Sequence, residues 1–271
     1  MEFQVKEAIR NRRSVRSFDK TPLREEDKKA LKAYIASHPN PFGVEVDFRI
    51  LDAKKHGLSS PVIIGEDTYL AAKVKKVHNH EIAIGYSFEE ACLFAQSLGL
   101  GTVMLAASLN RKAFEEAMEV GIDEVLPVAS PLGYKGKKMS LRESLMRKAL
   151  AADSRIPFEK LFYLDSYGNP LPHKLDDPFI EALDLTRLAP SAANRQPTRA
   201  IINGNAIHFY EEKSMKDSPL GDIQKVDVGI ALAHFDLAMK ANGLKGHFVE
   251  LDPKIQVPEN VRYIMTYERE S

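Results

Sequence analysis

The stretch RRSVRSF at residues 12–18 follows a short segment in which Val5, Ala8 and Ile9 share one helical face. Arg12, Arg13, Ser14 and Arg16 therefore arrive at or just beyond a helix end, where positive charge also suits the helix dipole. Arginine is matched to phosphate because its planar fork donates two hydrogen bonds and keeps its charge, and a nearby serine adds a third donor. A basic helix end is equally at home in solvent. The stretch gains meaning only from a partner elsewhere in the chain.

That partner is PSAANRQP at residues 190–197, placed between a helical pattern and a strand pattern. Pro190 and Pro197 restrict the backbone, small side chains let a flat ligand approach, and Asn194 offers both a donor and an acceptor. A heteroaromatic edge is its natural complement, although an ordinary polar loop has the same composition.

Working outward from residue 18, Pro22, an acidic first turn at Glu25, Glu26 and Asp27, and Leu31, Tyr34 and Ile35 behind them mark a second helix. Val46, Phe48 and Ile50 alternate with Asp47 and Arg49 as a strand does, and 61–64 is a second strand candidate. Ser87 and Glu90 have the spacing of a capping box, which predicts a helix over 87–98 stopped at Gly99. Asn110 is a plausible N-cap for a helix ending near Gly121, and 125–133 reads as a strand.

The second half repeats this order in shorter form. Asp177-Pro178 opens a helix closed by Leu188, a strand follows at 200–202, and Asn203-Gly204 turns the chain into 207–210. A helix over 228–242 stops at Gly243, and 261–267 is the last strand. CLFAQSLGLG at 92–101 compares with FDLAMKANGLKG at 235–246, and DEVLPVASPLGY at 123–134 with ENVRYIMTY at 259–267. These pairs point to an internal duplication. The expected organisation is a first half at 1–150, a connector at 151–172 and a shorter second half at 173–271. Residues 135–172 are rich in Lys, Arg, Gly and Pro, and RIPFEKLFYLD within them reads as ordered.

Lys plus Arg equals Asp plus Glu, at 38 each, so no net field favours nucleic acid and any anion site must be local. Cys92 is the only cysteine and sits in an apolar helical pattern, which excludes an internal disulfide. No stretch approaches the ~20 apolar residues of a membrane span, and MEFQVKEAIRNRR lacks the apolar run of a signal sequence. The expected place is the cytoplasm. His78, His80, His208 and His234 have no metal-binding spacing, and the chain has no GxSxG elbow or P-loop. No metal is expected.

Taken together, RRSVRSF, LGLGTVMLAAS at 98–108 and PSxxNxQP resemble, in that order, the hallmarks of the FMN-dependent nitroreductase family. The closest likeness is to its single-chain, internally duplicated branch. The resemblance implies an α+β fold with a largely antiparallel sheet in each half, and the helices at 87–98 and 228–242 meeting at a pseudo-two-fold interface. In that family two subunits interlock, and each FMN takes its basic cluster from one and a Pro-Ser loop from the other. Here the basic cluster occurs only in the first half and the Pro-Ser loop only in the second. The matching stretch of the first half reads SHPNPFGVEVDFRIL. One FMN per chain, in an intramolecular pseudo-dimer, is the expectation.

By the resemblance, Arg12, Arg13 and Ser14 approach the phosphate and ribityl side, and Arg16 the pyrimidine edge. Arg155 matches a late basic residue that binds phosphate from the same half as that cluster. Leu105, Ala106 and Ala107 bring backbone amides to flavin N5 and O4, and Pro190, Ser191 and Asn194 line the ring from the opposite half. Lys135, Lys137 and Lys138 are expected to be solvated loop charges. Three departures from the family pattern stand out: Thr198 after Gln-Pro where a tryptophan is common, Ala106 where an acid can stand, and Asp153 where a lysine can help with phosphate.

The implied activity is ping-pong transfer of hydride from NAD(P)H through flavin N5 to an electron-poor small molecule, of nitroaromatic or quinone type. No catalytic side chain is required. A flavin-binding sensor or store is the alternative, and a non-flavin structural protein a third reading. The chain is expected to be a monomer or a weak homo-oligomer.

Overall fold

The computed structural model describes residues 3–136, 140–174 and 176–270; Lys137 and Lys138 lie outside the described residues. Helix α1 (Val5–Asn11) forms on the apolar spacing of its sequence and buries Ala8 and Ile9. Helix α2 (Glu25–Ser37) begins on its acidic turn and buries Leu31 and Tyr34. Strand β1 (Val46–Asp52) and the one-turn α3 (Ala53–His56) follow.

The strand candidate at 61–64 is not one: only Ile64 makes an isolated bridge, to Ser17. Its place in the sheet is taken by β2 (Thr68–Lys75). This strand is buried on both faces along most of its length, so its sequence lacks the alternation that reveals a half-exposed strand.

Helix α4 (His80–Ser97) starts seven residues before the capping-box serine. Asn79 precedes it in the left-handed region at φ 62°, and Ser87 Oγ accepts from Asn40 Nδ2 at 3.2 Å instead of capping a helix. The stop at Gly99 is as expected, with φ +78°. Strand β3 (Leu100–Thr102), α5 (Arg111–Met118), β4 (Glu124–Val125) and β5 (Ala129–Tyr134) complete the first half. The expected strand at 125–133 is thus interrupted at Leu126-Pro127-Val128.

Helix α6 (Leu141–Ala149) closes the expected first half within the Lys/Arg/Gly/Pro-rich stretch 135–172, and strand β6 (Phe162–Leu164) lies in the expected connector, inside the segment RIPFEKLFYLD read as ordered. In α7 (Pro178–Thr186) Asp177 caps as read, its side chain accepting from Phe179 N. Strands β7 (Thr198–Asn203) and β8 (Ala206–Glu212) form the hairpin on Asn203-Gly204. Helix α8 (Ile223–Ala241) starts five residues before Val228, because Asp222 caps it by accepting from Gln224 N. Strands β9 (Gly246–Val249) and β10 (Val261–Arg269) end the chain.

The two sheets repeat one strand order: β1-β2-β5-β3, with β4 added on β2, and β7-β8-β10-β9, with β6 added on β7. All pairings are antiparallel except β6 with β7. Helices α4 and α8 occupy the same place in the two series and pack on each other. Their contact is reciprocal. A Cβ on Gly85 would lie 2.1 Å from the carbonyl oxygen of Val226, and one on Gly229 2.2 Å from that of Ile82. The two halves are an intramolecular pseudo-dimer, joined where the helix backbones touch. No helix among the described residues is long and apolar enough to cross a membrane.

Candidate functional site

A cavity of about 820 Å³ opens between the halves, and all eleven residues singled out from the sequence line it: Arg12, Arg13, Ser14, Arg16, Leu105, Ala106, Ala107, Arg155, Pro190, Ser191 and Asn194. The segment 12–18 is fixed to β3 by the Ser14–Thr102 bridge and to the loop before β2 by the Ser17–Ile64 bridge. Helix α6 fastens it from the other side: buried Glu143 accepts from Arg16 N at 3.2 Å and from Ser17 Oγ at 2.8 Å.

The arginines are cationic groups without enough acceptors. Nε of Arg12, of Arg16 and of Arg155 are each buried and without a hydrogen-bond partner. Burial lowers the pKa of Arg155, and the positive charges of Arg12, Arg13 and Arg187 lower it further. Arg16 is lowered mainly by burial, with Glu143 opposing. Arg12 Nε has the Glu89 carboxyl 3.4 Å away and Arg16 has Glu143 near it, but two acids among four clustered arginines leave donors unsatisfied and guanidinium groups repelling one another, which is expensive in a folded protein unless a further anion joins them. The residues present therefore fit a phosphate group. Arg155 also has a structural part, donating to the carbonyls of Ala152, Ser154 and Leu188. Arg13 folds back onto the carbonyls of Arg10 and Arg12 and so caps α1.

Across the cavity, the three-residue segment 105–107 divides. Leu105 N is bonded to the Ala129 carbonyl at 2.8 Å and has no capacity for a ligand. The N–H groups of Ala106 and Ala107 have no partner among the described residues. Arg111 holds the segment from behind by donating to the Ala106 and Leu126 carbonyls.

The loop of the second half is strained. Ala193, Asn194 and Gln196 all have positive φ, at 48°, 55° and 50°, a conformation costing roughly 1–3 kcal/mol at each such residue. It is held by three fixed acceptors. Ser191 Oγ accepts from Gln196 N at 2.8 Å, Gln196 Oε1 from Ile156 N at 2.9 Å, and both oxygens of buried Asp227 lie 3.0 Å from Ala192 N. Burial raises the Asp227 pKa well above the usual range against that backbone hydrogen bond. Asn194 lines the cavity, but its amide donates to the Ala151 and Ser154 carbonyls. Asp153, the unusual acid, is paired with Arg147.

The sequence profile of the family described as "Putative TM nitroreductase" matches residues 4–239. The chain belongs to this nitroreductase family. The fold agrees: the crystal structure of a "putative nitroreductase" from Thermotoga maritima superposes with a TM-score of 0.64 at 21% identity, covering 99% of this chain and 94% of that one. A nitroreductase with bound FMN from Bacteroides fragilis matches at 18% identity and a TM-score of 0.42, over 52% of this chain and 92% of its own. No curated protein matches the sequence.

Nitroreductase-family membership makes the pseudo-symmetric position informative, because a second cavity would be expected there. It is filled. Phe42, in the loop between α2 and β1 that corresponds to 190–197, packs on Tyr86 and Phe248 at centroid distances of 5.6 and 5.4 Å. His78 and Asn79, just before α4, bond directly to Glu250, just after β9.

Several cavity residues of this family member were invisible in the sequence. Arg111 and Arg147 stand in helices of ordinary charged composition. Glu89 and Asp227 lie inside apolar helices, where an isolated acid is the one available signal. The segment from Met215 to Ile223, with Leu220, closes one side of the cavity and has no motif.

Proposed function

We propose that the chain binds one FMN in this cavity and acts as an FMN-dependent NAD(P)H oxidoreductase on electron-poor small molecules. The observation that carries this reading is that Arg12, Arg16 and Arg155, whose buried Nε atoms have no hydrogen-bond partner, and Ala106 and Ala107, whose amides have none among the described residues, line one cavity in a nitroreductase-family chain.

Arg12, Arg13, Ser14 and Arg155 would hold the phosphate and ribityl side. Arg16 would meet the pyrimidine edge, where a cation stabilises negative charge on the reduced ring. Ala106 and Ala107 would donate to the ring, and Leu105 would contribute its side chain only. Pro190, Ser191 and Asn194 would line the opposite face, with Asn194 acting mainly through the backbone it fixes. FMN, when bound, supplies acceptance of a hydride from NAD(P)H and its return to a nitroaromatic or quinone in ping-pong order. The strained loop keeps its shape through Asp227 and Ser191, so the ring face is defined before any ligand arrives.

The side-chain contacts at the pseudo-symmetric position support a single site per chain, divided between a half at 1–150 and a half at 173–271 with 151–172 between them. A monomer in the cytoplasm is consistent with this organisation. Replacing Arg12 and Arg13 with alanine should weaken FMN retention, since charged hydrogen bonds contribute roughly 1.5–3 kcal/mol each. Riboflavin, which lacks the phosphate, should be affected far less. Unchanged FMN affinity in the double variant counts against the assignment. Steady NADH or NADPH oxidation with an added quinone separates an enzyme from a flavin store.

A further inference from the structure

Beneath the arginine cluster lies a buried pair that the cofactor reading leaves unused. Glu89 on α4 and His234 on α8 are both fully buried, and Glu89 Oε1 is 2.8 Å from His234 Nε2. His234 Nδ1 is 3.1 Å from the Leu185 carbonyl, an acceptor that requires a proton on Nδ1. The contact with Glu89 requires a second proton, shared between carboxyl and ring. The pair is therefore carboxylate with imidazolium, or carboxylic acid with imidazole. Its net charge is zero in both forms.

That neutrality bears on Arg12. Glu89 Oε1 is 3.4 Å from Arg12 Nε, and both residues line the cavity. A bare Glu89 carboxylate at this range would cancel the charge of Arg12 in a poorly solvated place. The other groups near the pair do not replace His234. Cys92, on the same helix, is a thiol held protonated by burial. Glu90 faces Asp236 and Lys240 on the opposite side. From α7 only the Leu185 carbonyl meets the ring, and Asp153 is committed to Arg147. Arg13 and Arg155 add further positive charge beside Arg12.

We infer that His234 is a positioning residue that neutralises Glu89 and thereby leaves the charge of Arg12 available to a phosphate monoester at the Arg12–Arg155 end of the cavity. The inference rests on reading that end as an anion site. Without His234 the Glu89 carboxylate competes with the phosphate for Arg12.

The test compares FMN with riboflavin on the full chain, by flavin fluorescence, for wild type, His234→Gln, Glu89→Gln and the double variant. His234→Gln should weaken FMN about tenfold or more, as cancelling a unit charge in a partly buried site does, with riboflavin little changed. Glu89→Gln should bind FMN no more weakly than wild type, and the double variant should recover what His234→Gln loses. The comparison of Glu89→Gln with wild type stands even if His234→Gln does not fold. Equal loss of FMN and riboflavin in His234→Gln, no recovery in the double variant, or weaker FMN binding by Glu89→Gln than by wild type overturns the inference. If wild type binds neither flavin, the cofactor reading fails, and the same series is read from stabilisation against heat by inorganic phosphate. No stabilisation of wild type by phosphate then overturns this inference too.

Discussion

Replacing Gly85 with alanine should destabilise the protein, although the same change in an exposed helix interior is stabilising by about 1 kcal/mol through helix propensity. The added Cβ would stand 2.1 Å from the Val226 carbonyl oxygen, 2.9 Å from its carbon and 3.2 Å from Ile230 N. All three are backbone atoms of α8, so no side-chain rotation relieves the contact. The helices must separate by about 1 Å at their crossing before carbon and oxygen reach ordinary van der Waals distance. Overpacking of this kind costs typically 1–3 kcal/mol, occasionally more. Gly229→Ala meets the Ile82 carbonyl at 2.2 Å and should behave alike. Because both changes open one crossing, the double variant should cost less than the sum of the two. Val226 and Ile230 also line the cavity, so flavin affinity should drop along with stability. Urea unfolding of the three variants, with flavin titration, measures both effects. Wild-type or higher stability in Gly85→Ala, or strict additivity in the double variant, refutes the close crossing as the joint between the halves.

Two further outcomes follow from the packing. Phe42→Ala should cost about 3 kcal/mol in urea unfolding, the low end for loss of a large ring because Phe42 is only half-buried, and flavin stoichiometry should stay at one per chain; a second bound flavin would contradict a single site per chain. Glu90 is buried with its pKa raised to about 8 by desolvation, Asp236 adding to the rise and Lys240 opposing it. A carboxyl raised in the folded state destabilises progressively as pH climbs from its unfolded value near 4.5 towards 8. Glu90→Gln should therefore gain stability over wild type at pH 8 more than at pH 5, and an equal difference at both would show that burial does not govern this group.

Much of the fold was legible because its signals are local. Asp177-Pro178, Asn203-Gly204 and the stops at Gly99 and Gly243 each act within a few residues. What was hidden depends on tertiary structure. Strand β2 is covered on both faces and carries no period of two. Helix α4 begins at an uncapped Asn79, whereas the Ser87–Glu90 spacing that suggested a start belongs to a serine serving Asn40. Helix α6 lies in a stretch whose composition reads as linker, and its ordering rests on Glu143 reaching Arg16 and Ser17. The site was legible as two motifs because arginine clusters and Pro-Ser loops have few other uses in combination. Its finer division was not: that Leu105 N–H is taken by Ala129, and that Asn194 serves the backbone of 151–154, are facts of hydrogen bonding between distant segments. Glu89 and Asp227 gave no motif, since a single acid in an apolar helix acquires meaning only when its neighbours are known.

The measurement that bears most directly on the account is the flavin content of the purified chain, read as absorbance in the flavin bands after reconstitution with FMN and gel filtration. The account predicts one FMN per chain in wild type and substantially less in the Arg12→Ala/Arg13→Ala variant. A colourless wild-type protein that binds no added FMN, or one that retains two, would contradict it.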